Sequence, residues 1–386
     1  MSIPRIAIIG AGPADLTLSL LLHKQSIQNT IYELRPKPTS ELPRSSGSLD
    51  LHEESGLVAL REAGLYESFQ FLSGECSEAQ RVFDQEGSII YEDEGELSER
   101  PEIERDALTN LLTNSLPENT IRYGHKLLSV TEMATKGVEL DFGRNGTAIY
   151  DLVIGADGAW SRVRNALTAE KPNYTGTQLI TGTITNISTR FPRLADLVGK
   201  GNEDYPTTSG LKDTSLQAAK ETLLTDEKLL GSFGQTIKNL ASTSWEMTPE
   251  FTSNDKLNIK PLYTLPPNTS FPHPKGSNIT LIGDAAHLMP PWAGEGVNLA
   301  MWDSLLLSRA ITTAFEESRD ACAETFLEVL SPLLLEFEEE MFSRAGEKAE
   351  ETKGNGEMMF SEDGAKVFKK FFESVYGAQD GEGGRV

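Results

Sequence analysis

The chain predicts a two-domain α/β protein built on a parallel sheet, and three stretches carry that prediction. Residues 5–9 form a short, β-branched apolar run that stops at glycine in Gly10-Ala-Gly12-Pro13-Ala14-Asp15, with an apolar helix beyond. Residues 30–33 then give a second short strand, completing a βαβ unit of the size that nucleotide-binding folds use. Far downstream, residues 279–282 return to a buried strand and lead into a Gly- and Pro-dense stretch ending at Asn298. Strands alternating with helices imply parallel pairing through crossovers.

The remaining elements follow in order. After the first helix, Ala14 to Lys24, helical stretches are expected over residues 53–63 and 105–115, the latter with apolar residues at helical spacing. Alternation over 137–142 reads as a strand, and residues 150–154 form a buried strand ending in Gly-Ala-Asp157-Gly158. From about Tyr174 the character changes: residues 179–187 alternate like a sheet strand, and one helix is expected around 216–240. Few other alternating runs occur between 188 and 255. A helix from about Val297 to Thr313 follows the Gly/Pro stretch. The last segment, 321–376, is helical in propensity with Pro332 as a break, and the tail 379–386 reads as disordered. The domain plan is thus a discontinuous nucleotide-binding domain, residues 1–172 and 260–320. A smaller α+β domain, 173–259, is inserted in it, and a C-terminal helical segment with its tail, 321–386, follows.

At 386 residues the chain can bury a substantial core in about two domains. Its 35 basic and 58 acidic residues leave a net charge of −23, which repels nucleic-acid phosphate and anionic lipid, so neither is an expected partner. Cys76 and Cys322 lie far apart and in no metal-ligand spacing, so neither a disulfide framework nor a metal site is expected. No run reaches the roughly 18 apolar residues of a membrane helix, and no secretory signal is legible. The expectation is a soluble, cytoplasmic monomer.

The two glycine-rich motifs carry the chemistry. Gly10 permits a tight turn, and Gly12 lets backbone approach a pyrophosphate held at the positive helix N-terminus that Pro13 and Ala14 begin. Glu33 ends the second strand, where a carboxylate can take both hydroxyls of an unphosphorylated adenosine ribose, as in FAD or NAD. The third glycine of the pattern is replaced by Asp15. An aspartate there is a favourable charge for a first helical turn, but it adds bulk and negative charge beside the phosphate, so a looser cofactor hold is expected. In the second motif, Asp284 at a strand end can hydrogen-bond a ribityl hydroxyl. The Pro290-Pro291 turn and the helix start at Gly294 and Gly296 aim backbone N–H groups at a flavin pyrimidine edge. His287 is read as structural.

With these pieces in view, the chain resembles class A FAD-dependent monooxygenases of the aromatic-ring hydroxylase type, and within them the tetracycline-inactivating branch. The matching pieces are GAGPAD, then RSSGSLDLH (Arg44 to His52) with SGLVALREAGL, RPEIERDALTNLL around Arg105, GADGAWSRVR, and GDAAHLMPPWAGEGVN. The resemblance implies a Rossmann-like FAD domain of the p-hydroxybenzoate-hydroxylase kind with an inserted substrate domain, here short by some tens of residues. It places Glu33 on the adenosine ribose and Arg105 on the pyrophosphate or ribityl region. Gly47 and Asp50 would lie near the isoalloxazine and Asp284 on the ribityl chain, while backbone groups of Gly294, Gly296 and Val297, with neighbouring Asn298, would meet the flavin ring. Arg44 matches an NADPH-contacting arginine, although the loop from it to Asp50 is one residue shorter, and Asp157 with Gly158 matches a pair tied to FAD and NADPH. Arg162 and Arg164 are read as surface groups.

The activity implied is reduction of FAD by NADPH, addition of O2 to give a C4a-hydroperoxyflavin, and oxygen transfer to a small organic substrate. That substrate would be polycyclic or polyketide-like, as in secondary metabolism, and no catalytic side chain is implied. Two alternatives stay open: a flavin-dependent dehydrogenase or halogenase, the latter disfavoured because no WxWxIP stretch occurs, and a degenerate FAD-binding protein without monooxygenase activity.

Overall fold

A computed structural model gives the structure of the chain. It describes residues 3–38, 47–73, 79–93, 95, 100–133, 137–182, 184–198, 205–207, 215–257, 259–266, 277–318 and 323–376. Arg44, Cys76, Cys322 and the tail 379–386 lie outside the described residues. The chain divides into two compact units. The first comprises Met1–Glu75, Glu99–Asn173 and Tyr263–Thr352, and the second Cys76–Ser98, Tyr174–Leu262 and Lys353–Val386.

The first unit is organised by a five-stranded parallel sheet in the order Ile279–Leu281, Leu152–Gly155, Ile6–Ile9, Asn29–Glu33, Ile121–Tyr123. Three of its strands, Ile6–Ile9, Leu152–Gly155 and Ile279–Leu281, are buried at every position, as strands covered on both faces must be. Helix Pro13–Lys24 packs against the long helix Gly296–Glu317, and the Ser304 hydroxyl donates to the Ala14 carbonyl at 2.8 Å. That helix pair joins the first βαβ unit to the downstream motif, although almost 300 residues separate them in the chain. Smaller antiparallel sheets flank the main one: Thr147–Tyr150 with Gly137–Asp141 and Ser129–Met133, and Ser48–Asp50 with Glu102–Glu104.

In the second unit, strand Asn173–Ile180 lies between Tyr205–Thr207 and Ile259–Thr264, and a separate hairpin pairs Gln80–Phe83 with Ile89–Asp93. Trp245, Ile180, Leu223, Ala241 and Phe251 form its core. The aromatic face of helix Gly364–Tyr376 packs on the hairpin, with Phe372 stacked on Tyr91 at 5.5 Å. The hairpin falls in chain order within residues 1–172 but clusters with this unit, whereas residues 323–352 cluster with the first.

Three expectations are corrected. The strand expected over 179–187 runs from Asn173 to Ile180, and a short helix, Ile187–Arg190, begins after Asn186 takes a left-handed conformation at φ 55°. The single helix expected over 216–240 is two, Leu216–Thr225 and Gln235–Met247. Between them Gly231 folds back on the preceding turn so closely that a Cβ would lie 2.5 Å from the Thr225 carbonyl oxygen. Finally, Pro332 does not break its helix, which runs from Ala323 to Met359. Phe326, Leu330, Leu334, Phe337, Met341 and Ala345 recur at spacings of three and four, and all are buried. Burial of that continuous stripe outweighs the one hydrogen bond that proline removes.

Gly155 ends strand Leu152–Gly155 with Val163 and Leu281 closed over it, so that a Cβ there would lie 2.6 Å from the Val163 Cβ. Gly155→Ala should cost about 1–3 kcal/mol of stability through overpacking. Denaturant unfolding of the variant checks this, and wild-type stability would show that the strand end can relax.

Candidate cofactor site

The carboxyl ends of four neighbouring parallel strands converge. Gly10 N–H donates to the Tyr32 carbonyl at 2.9 Å, Ala156 N–H to Ile9 at 2.9 Å, and Ile282 N–H to Gly155 at 3.0 Å. This edge is where open parallel sheets bind ligands. Gly10 sits at φ 126°, a conformation that only glycine adopts without strain, and a Cβ there would lie 2.5 Å from the Ala156 carbonyl oxygen. Gly12 then caps helix Pro13–Lys24 with no side chain on the helix N-terminus, Pro13 and Ala14 opening its first turn.

Around this turn stand three acids. Asp15 and Glu33 are buried. Glu33 Oε1 accepts from the Arg35 backbone N–H at 2.8 Å and from Arg35 Nε at 2.6 Å, so the strand-end carboxylate is held in place. Asp157 accepts from the Ser161 hydroxyl at 2.5 Å, from Arg162 N–H at 2.6 Å and from Val163 N–H at 3.4 Å. Its carboxylate therefore shapes its own loop, and burial raises its pKa despite these donors. Arg164 is a correction. It is 1% exposed and ties that loop to the downstream motif, donating to Ala285 O at 2.9 Å and Ala159 O at 2.5 Å. Arg162 is exposed, as expected.

The second motif assembles beside it. Asp284 begins a short helix at the end of strand Ile279–Leu281; it is exposed, yet so closely surrounded that desolvation raises its pKa against the charges of His287, Arg105 and Arg164. Arg105 starts helix Arg105–Asn114, and its N–H donates to the Gly47 carbonyl at 3.0 Å, which brings Gly47 to the same neighbourhood. Asp50 lies against Gly294, where a Cβ would be 3.6 Å from both carboxylate oxygens. Asn298, fully buried, joins these pieces: its Oδ1 accepts from His52 N–H at 2.9 Å and its Nδ2 donates to the Asp50 carbonyl at 3.0 Å. Helix Gly296–Glu317 starts there with no side-chain cap, so the N–H groups of Gly296 and Val297 open its first turn.

Every described residue singled out in the sequence thus falls in the first unit, in two neighbouring groups; Arg44 lies outside the described residues. Other members carried little local signal. His52 stands with Nε2 3.0 Å from Asp50 Oδ2 and Nδ1 3.6 Å from Glu295 Oε2, and Glu295 pairs with Lys348 at 2.6 Å. Burial raises the Asp50 pKa, but the hydrogen bond and charge of His52 outweigh it and leave that carboxyl below its ordinary value. Asp303, fully buried, accepts from His287 Nε2 at 2.6 Å, Gly283 N–H at 3.0 Å and Arg344 at 2.7 Å. Arg344 and Lys348 are one turn apart on one helix, a relation visible in the sequence only once their acidic partners are known.

Such an edge can hold an extended anionic dinucleotide, with free helix starts and bare glycines where charge must approach backbone. The family described as FAD binding domain matches residues 4–205 and 270–326, and the chain belongs to it. It is 31% identical to Monooxygenase asqM of Emericella nidulans, over 94% of this chain and 97% of that protein. It is 30% identical to Monooxygenase penA of Penicillium thymicola, over 96% and 98%. The fold is shared with Klebsiella pneumoniae HpxO complexed with FAD and uric acid, at TM-score 0.70 and 16% identity over 96% of this chain and 92% of that one. It is shared also with the tetracycline destructase Tet(55), at 0.61 and 17% over 98% of each. The protein is an FAD-dependent monooxygenase of the aromatic hydroxylase type.

The buried His287–Asp303 pair makes stability depend on pH. Burial lowers the His287 pKa, but the charge and hydrogen bond of Asp303, with the charge of Asp284, outweigh it and raise the pKa above its ordinary value. A histidine raised on folding adds stability that is fully present below its unfolded pKa of about 6.5 and lost as pH rises through the folded value. His287→Ala should therefore cost about 2 kcal/mol near pH 6, and less as pH rises. Unfolding at several pH values measures this, and an equal cost at mildly acidic and alkaline pH would contradict it.

Proposed function

We propose that the chain uses NADPH and O2 to oxygenate a small, electron-rich ring compound, polycyclic or polyketide-like, and that the first unit holds FAD along the sheet edge. The observation that carries this reading is the pair of helix starts without side-chain caps, at Gly12 and at Glu295, on either side of an open Asp284 carboxylate. These residues fit FAD. The N–H groups at Gly12 and Ala14 would take the pyrophosphate and Glu33 the adenosine ribose. Asp284 would take the ribityl hydroxyls, with Arg105 beside it against the phosphate or ribityl oxygens. Backbone groups of Gly294, Gly296 and Val297 would meet the pyrimidine edge of the flavin.

Bound FAD supplies the redox and oxygen chemistry. The chain's own residues orient and enclose it. Asn298 fixes the second helix start against the strand that carries Asp50. His52 hydrogen-bonds Asp50 at 3.0 Å, and 3.6 Å from its other ring nitrogen stands Glu295, which pairs with Lys348. Asp157 shapes the loop through Gly158, whose φ of 76° lets the backbone turn, and that loop with Arg44 is our candidate for NADPH contact. Residues 173–259 are our candidate for substrate recognition; fold neighbours named for salicylate, uric acid and tetracycline support a ring substrate.

A second reading, an FAD binder without oxygenase activity, draws on the shortened middle. The match to asqM runs over 435 positions against 386 residues here, so the relative carries tens of positions that this chain lacks. Turnover with phenolic polyketides under heavy-isotope dioxygen separates the readings. One labelled oxygen atom in the product is the result we expect, and bound flavin with no NADPH consumption and unchanged substrate would favour the second. Asp284→Ala should weaken FAD binding about tenfold, the loss of one hydrogen bond near a charged group. Unchanged FAD affinity on titration would remove Asp284 from the ribityl chain.

A further inference from the structure

The third glycine position of the first turn is where this chain departs from the pattern. Asp15, which occupies it, is 1% exposed, and its Oδ2 has no hydrogen-bond partner among the described residues. A Cβ on Gly10 would lie 2.0 Å from that oxygen and 2.5 Å from the Ala156 carbonyl oxygen, so two oxygens converge on the bare Cα of Gly10. A Cβ on Gly12 would lie 3.6 Å from Asp15 Oδ1. The carboxyl is therefore packed against both glycines of the turn, and the absence of a side chain on Gly10 makes room for it.

Its charged surroundings are unfavourable to an anion. Glu33 faces it from the end of the second strand and Asp157 from the loop after the neighbouring strand, and both charges oppose its ionisation. Arg35 is the cation that senses Asp15, but its guanidinium is engaged by Glu33. Within its own helix, only the N–H groups of Gly12 and of Asp15 itself favour the carboxylate. Burial is the largest influence and pushes this carboxyl well above the usual range.

We propose that FAD binding to this chain is linked to a proton on Asp15: the pyrophosphate settles on the turn over a neutral Asp15 carboxylic acid, and the ionised form expels it. The inference rests on the reading that the pyrophosphate lies at the helix start capped by Gly12. A proton on Oδ2 turns one of the two converging oxygens into a donor opposite the Ala156 carbonyl. It also removes a negative charge from beneath the phosphates and leaves the positive helix end to the cofactor. Asp15 need not touch FAD. It is a positioning residue that acts through the field at the turn, and it makes retention of the cofactor sensitive to alkaline pH.

The test is titration of apoprotein with FAD, followed by flavin fluorescence from about pH 6 to about pH 10. The wild type, Asp15→Asn and Asp15→Gly are compared, with circular dichroism confirming the fold at each pH. The wild-type Kd should rise with pH by up to about tenfold per unit once the free acid ionises. Asp15→Asn, which keeps the shape without the charge, should bind tightly with a flat profile, and Asp15→Gly should also be flat. Calorimetry in two buffers of different ionisation heat should show protons taken up with FAD in the same range by the wild type but not by Asp15→Asn. A flat wild-type profile, or the same slope in both variants, overturns the proposal while leaving the cofactor site intact. FAD that binds none of the three at any pH overturns both.

Discussion

The proposed cofactor site depends on backbone N–H groups left open at two helix starts on one sheet edge. Each start concentrates about half a positive charge within a single turn. That matters in a chain with net charge −23, whose overall field repels an anionic cofactor. Exposed surface charges are screened beyond about 8–10 Å in physiological salt, whereas a helix end acts at contact distance. Attraction is therefore local and geometric, and it requires backbone to come close. Gly10 and Gly294 meet that requirement with positive φ angles at the two turns.

Those helix starts are useful only if they are held, and buried polar side chains hold them. Asn298 ties the second helix to the strand that carries Asp50, while Asp303 gathers Gly283, His287 and Arg344 around the strand end that presents Asp284. Arg164 links the loop after Asp157 to Ala285. Each group is satisfied on several sides, so each fixes one arrangement; an apolar contact of equal volume would leave the register of the motif loose.

The βαβ unit, the strand ends and the glycine turns were legible in the sequence because they depend on local features: a short β-branched run, glycine at a fixed offset, an acid closing the next strand. Glu33 and Asp284 could be placed at strand ends for that reason. Where tertiary packing decides, local reading went astray. Pro332 looked like a stop, but the stripe from Phe326 to Ala345 is buried throughout and carries the helix past it. The alternation at 179–187 looked like a strand, yet pairing with residues 205–207 selects Gln178 to Ile180 and the chain turns at Asn186. Arg164 looked like a surface residue because one of the two carbonyls it binds, that of Ala285, lies 121 residues away. Lys348, Arg344 and Asp303 gave no signal at all, since ion pairs between distant helices leave no spacing to read.

The central claim is that this sheet edge holds a flavin that is reduced by a nicotinamide and reoxidised by dioxygen. An absorbance spectrum of the purified protein, followed by NADPH addition first without and then with air, tests it most directly. The account predicts visible flavin bands that bleach with NADPH and return with oxygen. Protein that stays colourless after incubation with excess FAD would contradict it.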